Sequence, residues 1–204
     1  MMDITIRPEE REDHRENENV TREAFWNIHK PGCDEHLLLH NLRNSPAFIG
    51  ELDLVACAGG QIVGNCVCTR AKIVNKQNEH VVLCLGPLSV LPDFQNKGIG
   101  SALMNHTLCV ARETGYAGII LYGNPEYYHR FGFRDAATYG ITTADGQNFD
   151  AFMALELREY GFGGVHGAFL EDPAFAVDKA ELEEFERGFA LKEKHEKRPT
   201  DLGN

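Results

Sequence analysis

The chain has 204 residues, 43% of them hydrophobic and 25% charged, with a formal net charge of -11 at pH 7 and a sequence pI near 5.2. These are the proportions of an ordinary globular protein, and at this length one domain should bury roughly 70% of its unfolded surface. The acidic balance excludes nucleic acid and anionic membrane as partners, since both need a basic footprint, and leaves a neutral or cationic partner.

At the amino terminus, residues 1–8 have neither the basic start nor the apolar segment of a secretory signal, and nowhere do 18 consecutive apolar residues occur. A soluble, cytoplasmic protein is expected. Ile4 and Ile6 alternate with polar residues as in a half-buried strand, and Pro8 introduces a charged helical stretch over 9–26. His36 and His40 flank three leucines in a second helix. Their spacing matches two metal ligands, but the glutamate of a zincin motif is missing, so they read as boundary residues of an amphipathic helix.

Residues 51–58 and 61–74 read as strands joined by the hairpin signal Gly59-Gly60, and the continuously apolar run from Val81 reads as a central strand. Six cysteines, at 33, 57, 66, 68, 84 and 109, lie mostly in apolar runs and read as reduced core residues. Cys66 and Cys68 share a strand face without a second ligand pair, so no metal is expected.

Gly86-Pro87 interrupts the strand over 81–91, because neither residue suits an undisturbed ladder. The expectation is a bulge near Leu88, Ser89 and Val90, freeing backbone groups beside an active site. Four residues later, Gln95-Asn-Lys-Gly-Ile-Gly-Ser precedes a helical pattern over 98–114, in which Ile99, Ala102, Leu103, His106, Cys109 and Val110 form one side and Gly115 the cap. His106 is expected to be packed.

Strand, glycine loop and helix amino terminus make an anion site, where consecutive amides and the helix dipole hold a pyrophosphate and Lys97 adds a charge. Two other nucleotide motifs fail on residues. A dinucleotide fingerprint needs a third glycine where Leu103 stands, and an ATP-binding loop needs its lysine after the glycine rather than at 97.

Residues 118–123 read as a buried strand, and Asn124-Pro125-Glu126 starts a short helix. Strands are expected at 137–142 and 152–157, then an extended glycine-rich surface loop over 161–167 and around Asp172-Pro173. Asp178 and Glu181 form a capping box for a helix with the stripe Leu182, Phe185 and Phe189, and the charged end beyond Lys192 is expected to fray.

Gln95-Asn-Lys-Gly-Ile-Gly, after an interrupted strand, resembles the Gln/Arg-x-x-Gly-x-Gly/Ala motif of the GCN5-related N-acetyltransferases (GNAT). Asn124 together with Tyr128, four residues before Gly132-Phe133, is similar to that family's second motif. The resemblance is sharp over 83–133. It implies an α/β (α+β) fold: a mixed, mostly antiparallel sheet with flanking helices, split between its fourth and fifth strands, with acetyl-CoA in the split.

The acetyltransferase domain would span 1–157, with 158–204 an extension packed on it or serving a homodimer. Leu88, Ser89 and Val90 would pair with the pantetheine arm. The amides of Gln95, Asn96, Lys97, Gly98, Ile99, Gly100 and Ser101 would hold the pyrophosphate, and Asn124 the pantetheine arm.

Direct transfer to a primary amine of a small molecule, or less readily of a protein, would use a backbone N–H at Leu88 for the oxyanion and Tyr128 as general acid, with Tyr127 competing for that role. The carboxylate that many relatives carry on the bulged strand is absent from Leu83-Cys-Leu-Gly-Pro. Glu51, Asp53, Glu79 and His80 read as solvated, so the base stays unassigned. An acetyl-CoA-binding sensor without turnover is the alternative function.

Overall fold

A computed structural model describes residues 3–196. The strands are β1 (Ile4–Pro8), β2 (Phe48–Ala58), β3 (Gln61–Val74), β4 (Glu79–Val90), β5 (Gly118–Tyr122), β6 (Arg134–Asp135), β7 (Ile141–Thr142), β8 (Phe152–Glu156) and β9 (Gly167–Leu170). The helices are α1 (His14–Phe25), α2 (Glu35–Arg43), α3 (Ile99–Glu113), α4 (Pro125–Tyr128) and α5 (Lys179–Glu186).

One mixed sheet runs β1-β2-β3-β4-β5-β8-β6, with β9 beside the far end of β3 and β7 beside β9. Its pairs are antiparallel except β4 with β5 and β7 with β9. The hairpin at Gly59-Gly60 forms with both residues at positive φ, 58° and 87°, as a two-residue turn between twisted strands requires.

Alternation along the central strands sends side chains to two cores. Leu83, Leu85, Ile119 and Leu121 pack with Leu103, Met104 and Leu108 of α3 on one face. Val82, Cys84, Ile120 and Phe152 pack with Phe169 of β9 on the other. That second face also carries α1, where Val20 meets Val55 and Ile62, and α2, where Leu39 and Leu42 meet Val67.

The parallel ladder of β4 with β5 is short, pairing only Leu83 with Ile119 and Cys84 with Ile120. Beyond Cys84 the two strands part, so β4 keeps β3 on one edge and has a free edge on the other. The irregularity lies at Gly86-Pro87, where two residues stand opposite Val67 between the pairs Cys68–Leu85 and Cys66–Leu88. This corrects the position expected near 88–90. Proline removes the donor at 87, and regular pairing resumes at once.

Several expectations are overturned. The first helix begins only at His14, after a 3-10 turn over Arg11–Asp13. Residues 136–139 form a 3-10 turn, leaving a two-residue strand at 141. The glycine-rich segment after 160 is no surface loop: Phe162 and Val165 are buried, and the segment leads into β9. His106 and Cys109 are exposed, and the buried side of α3 is Ile99, Leu103, Met104, Thr107, Leu108 and Ala111. His36 is fully buried, whereas His40 pairs with Glu18 at 2.9 Å. Asp53 is 2% exposed, not solvated. Its burial, with Glu9 beside it, raises its carboxyl well above the usual carboxylate range.

The segment after α5 is held rather than frayed as far as residue 196. Arg22 binds Glu186 through two nitrogens at 2.9 and 3.1 Å and the Ala190 carbonyl at 3.1 Å. Trp26 Nε1 donates to the Glu193 carbonyl at 2.9 Å, and the His195 amide donates to Asn27 Oδ1 at 3.2 Å. Phe185 packs against His36 and His40, and Phe189 against His36 beneath Arg15, so these rings are covered by the chain's own α1 and α2. The part of the tail beyond 196 that was expected to fray lies outside the described residues.

Candidate active site

The free edge of β4 faces the start of α3 across a cavity of about 550 Å³. On this edge the backbone direction follows from the ladder. The Leu91 N–H donates to the Val63 carbonyl of β3 at 2.9 Å, so alternation turns Ser89 toward β3 as well and turns Leu88 and Val90 into the split. The Val90 carbonyl is engaged there, accepting from Gln95 Nε2 at 3.0 Å.

The other wall is the turn into α3. Asn96 and Gly98 sit at φ 59° and 84°, a left-handed pair of positions that curls successive amides to one side before the helix begins at Ile99. With no partner a turn earlier, the first helical N–H groups point into the cavity, where the positive helix end favours an anion.

Asn124 Oδ1 caps α4 by accepting from the Glu126 amide at 3.0 Å, which leaves its amide nitrogen for the cavity. The Tyr128 ring lies flat on Gly123, where a Cβ would sit 2.2 Å from a ring carbon; only glycine admits it. Burial raises the Tyr128 phenol well above its usual value. The Tyr127 hydroxyl reaches over Gly100, 2.7 Å from where a Cβ would stand, buried and, among the described residues, without a hydrogen-bond partner.

Ten of the twelve residues singled out from sequence therefore line one cavity, and Ser89 and Lys97 do not. Ser89 is 2% exposed and its hydroxyl donates to Thr21 of α1 at 3.3 Å. Lys97 folds back to donate to the Asp93 carbonyl at 2.7 Å, so the charge expected of it is spent on its own turn. Phe94, Tyr127 and Arg130 complete the lining. Of these, Phe94 was not read from the sequence, and nor was Arg130. Its spacing of three from Tyr127 on a short helix was the available signal, and its guanidinium stacks 4.2 Å over that ring.

Residues 50–135 match the family model described as acetyltransferase (GNAT) domain. Over these residues the chain carries a GNAT acetyltransferase domain. YhbS of Escherichia coli K12, named an uncharacterized N-acetyltransferase, is 29% identical over 134 residues, 65% of this chain and 78% of YhbS. YjhQ of the same strain, named likewise, is 31% identical over 86 residues, 42% of this chain; the match spans about half of YjhQ, 48%.

Among solved structures, a GNAT acetyltransferase from Brucella melitensis in complex with acetyl-CoA is similar to this chain at TM-score 0.70 and 29% identity, covering 86% of this chain and 100% of that one. The YhbS structure in complex with CoA gives TM-score 0.76 and 25% identity, covering 86% and 93%. The architecture shared is the open mixed sheet with its parallel β4–β5 pair. Among the described residues, no helix is long and apolar enough to cross a membrane, and no group of three or more metal-ligating side chains gathers.

Proposed function

We propose that this chain is an acetyl-CoA-dependent N-acetyltransferase that moves an acetyl group to the primary amine of a small cationic molecule by direct attack in a ternary complex. One observation carries the reading: a single cavity joins the free edge of β4 at Leu88 and Val90 to the amides that open α3. An extended acyl carrier with an anionic midsection needs those two features side by side. The orphaned Tyr127 hydroxyl at that helix start supports the fit, since a phosphate oxygen would give it a partner.

Acetyl-CoA, as cosubstrate, supplies the activated acetyl thioester. The amides from Gln95 to Ser101 hold the pyrophosphate, and the N–H of Leu88 stabilises the oxygen charge that develops at the carbonyl, for which one such donor is worth about 3 kcal/mol. Tyr128 gives a proton to the departing sulfur. Its raised pKa keeps it protonated through neutral pH, as a donor must be. Tyr128→Phe should lower kcat about 100-fold with little change in the KM for acetyl-CoA, whereas Tyr127→Phe should keep kcat. The reverse pattern in CoA-thiol release assays would move the acid to Tyr127.

The reading is tested by thermal unfolding of the full chain with and without acetyl-CoA, with NADH and ATP as controls. At 100 times its Kd the ligand should stabilise by about 2.7 kcal/mol, a rise of roughly 5 to 11 °C for a chain of this length. No rise at saturating acetyl-CoA would sink it.

A further inference from the structure

The face of the split opposite α3 carries a second set of groups that the cofactor cavity does not use. Cys84 is the last residue of β4 paired with β5, and its side chain points to that opposite face with Ile120. Two residues beyond Ile120, Tyr122 points the same way, stacked on Phe152 at 5.0 Å and on Phe149 at 5.9 Å between ring centroids. Tyr122 and Phe149 are 41% and 49% exposed, an aromatic wall open to solvent where the strands part.

Glu171 reaches the same spot. It follows β9, whose Phe169 lies in the core of that face, and alternation returns the side chain at 171 to that side. Its Oε1 accepts from the Cys84 thiol at 3.9 Å. Thr69, cross-strand from Cys84 and so on the same face, has a buried hydroxyl with no partner among the described residues. Among the described residues Glu171 forms no ion pair, and its neighbour Asp172 is committed to Ser45 at 2.8 Å and to capping Ala174.

We propose that Glu171 is the carboxylate that takes the proton from the acceptor ammonium, and that Tyr122 and Phe149 form the wall against which an aryl-alkyl primary amine lies. This rests on the acetyltransferase reading, and it fills the role that the missing carboxylate of β4 leaves open. The thioester, held from the α3 side, is met by the amine from the other face of the same split.

Burial raises the Glu171 carboxyl above the ordinary glutamate range, which makes it a better proton acceptor. Facing it are the Cys84 thiol from β4 and the Tyr122 phenol from β5, both raised and therefore neutral, with Asp145 from the loop after β7 acting on Tyr122; Arg70 and Lys72 of β3 line the same hollow as Glu171, Arg70 bonded to the Pro46 and Phe48 carbonyls and Lys72 to Glu79.

Protons and electron pairs balance as follows. The ammonium loses one proton to Glu171, and the freed lone pair forms the C–N bond at the acetyl carbon. The C–S bond breaks with its electron pair on sulfur. Tyr128 protonates the sulfur and recovers its proton from the nitrogen, and Glu171 releases its own to solvent.

The test measures CoA-thiol release by wild type and Glu171→Gln from pH 5.5 to 9.5, with two acceptors. Phenethylamine must be deprotonated before it attacks; hydroxylamine is largely neutral at pH 7 already. With phenethylamine at pH 7, Glu171→Gln should lose about 100-fold in kcat/KM. The wild-type fall in rate as pH drops through the carboxyl pKa should vanish in the variant and give way to a rise that follows the amine's own deprotonation. With hydroxylamine the two proteins should agree within about threefold, and acetyl-CoA should raise both melting midpoints equally.

Equal rates with phenethylamine, or equal losses with both acceptors, would overturn the role of Glu171 while leaving the transferase reading intact. Wild type that uses hydroxylamine but not phenethylamine would overturn the aromatic wall. Wild type without acetyl-CoA binding would overturn the transferase reading and this proposal together.

Discussion

Gly100→Glu should abolish useful acetyl-CoA binding in a chain that still folds. Gly100 is the second residue of α3, and a Cβ there would lie 2.7 Å from the Tyr127 hydroxyl and 3.6 Å from Val90. Tyr127 must swing aside, and the new carboxylate then stands among the amides that would hold the pyrophosphate. Two like charges about 4 Å apart at an effective dielectric near 20 repel by about 4 kcal/mol. A rise in Kd of at least about 100-fold is therefore expected, since every 1.4 kcal/mol is tenfold. Gly100→Ala separates crowding from charge and should cost less. Titration calorimetry reads both, with circular dichroism reporting the fold; a Glu variant that keeps its affinity would place the anion elsewhere.

Arg43→Met should give the largest loss of stability. The guanidinium at the end of α2 meets Glu9 through two nitrogens, each at 2.7 Å, and Glu18 at 2.8 Å, with Asp53 at 4.0 Å. All four side chains are 5% exposed or less. Asp53 keeps its proton because burial disfavours its charged form and Glu9 stands beside it, which together outweigh the pull of Arg43. Removing the Arg43 cation leaves buried Glu9 with Asn17 and, at 3.9 Å, His14, and leaves Glu18 with the more exposed Arg15 at 3.7 Å and His40 at 2.9 Å, which costs about 3–5 kcal/mol. For a chain of this size that is a fall in Tm of roughly 6–20 °C. The double variant with Glu9→Gln should recover part of it, because the carboxylate that depended most on Arg43 is then neutral and Glu18 keeps His40 and Arg15. A loss below about 1 kcal/mol by urea titration would show that water reaches the cluster. The effect bears on function as well, since this cluster seats α1, whose Thr21 meets Asn65 at 3.2 Å and Ser89 of β4 at 3.3 Å.

The cofactor side of the site was legible because it is built from local features. Gly98 and Gly100 before an apolar helical stripe, Gly86-Pro87 inside an apolar strand, and Asn124-Pro125 after another each constrain the backbone within a few residues. Lys97 was misjudged because its alternative partner, the Asp93 carbonyl, depends on a 3-10 turn that its sequence does not announce. On α3 the stripe was misplaced by treating His106 and Cys109 as apolar, when Met104, Thr107 and Ala111 face the sheet.

The residues alone determined the order of strands and helices through α3 and β5, the hairpin at Gly59-Gly60, and the strand–loop–helix turn into α3. All of these follow from periodicity and backbone restriction over short spans. Tertiary structure decided where the split opens, because the length of the β4–β5 ladder depends on partners 36 residues apart in sequence. It also decided that 167–170 is a strand, since that short segment gains its partners from the far end of β3, which β2 leaves unpaired, and from β7. Glu171 and Tyr122 share a face of the split for the same reason. Nothing local in either segment carries that information, because their meeting is a property of the ladder that joins β9 to β3 and of the sheet between them.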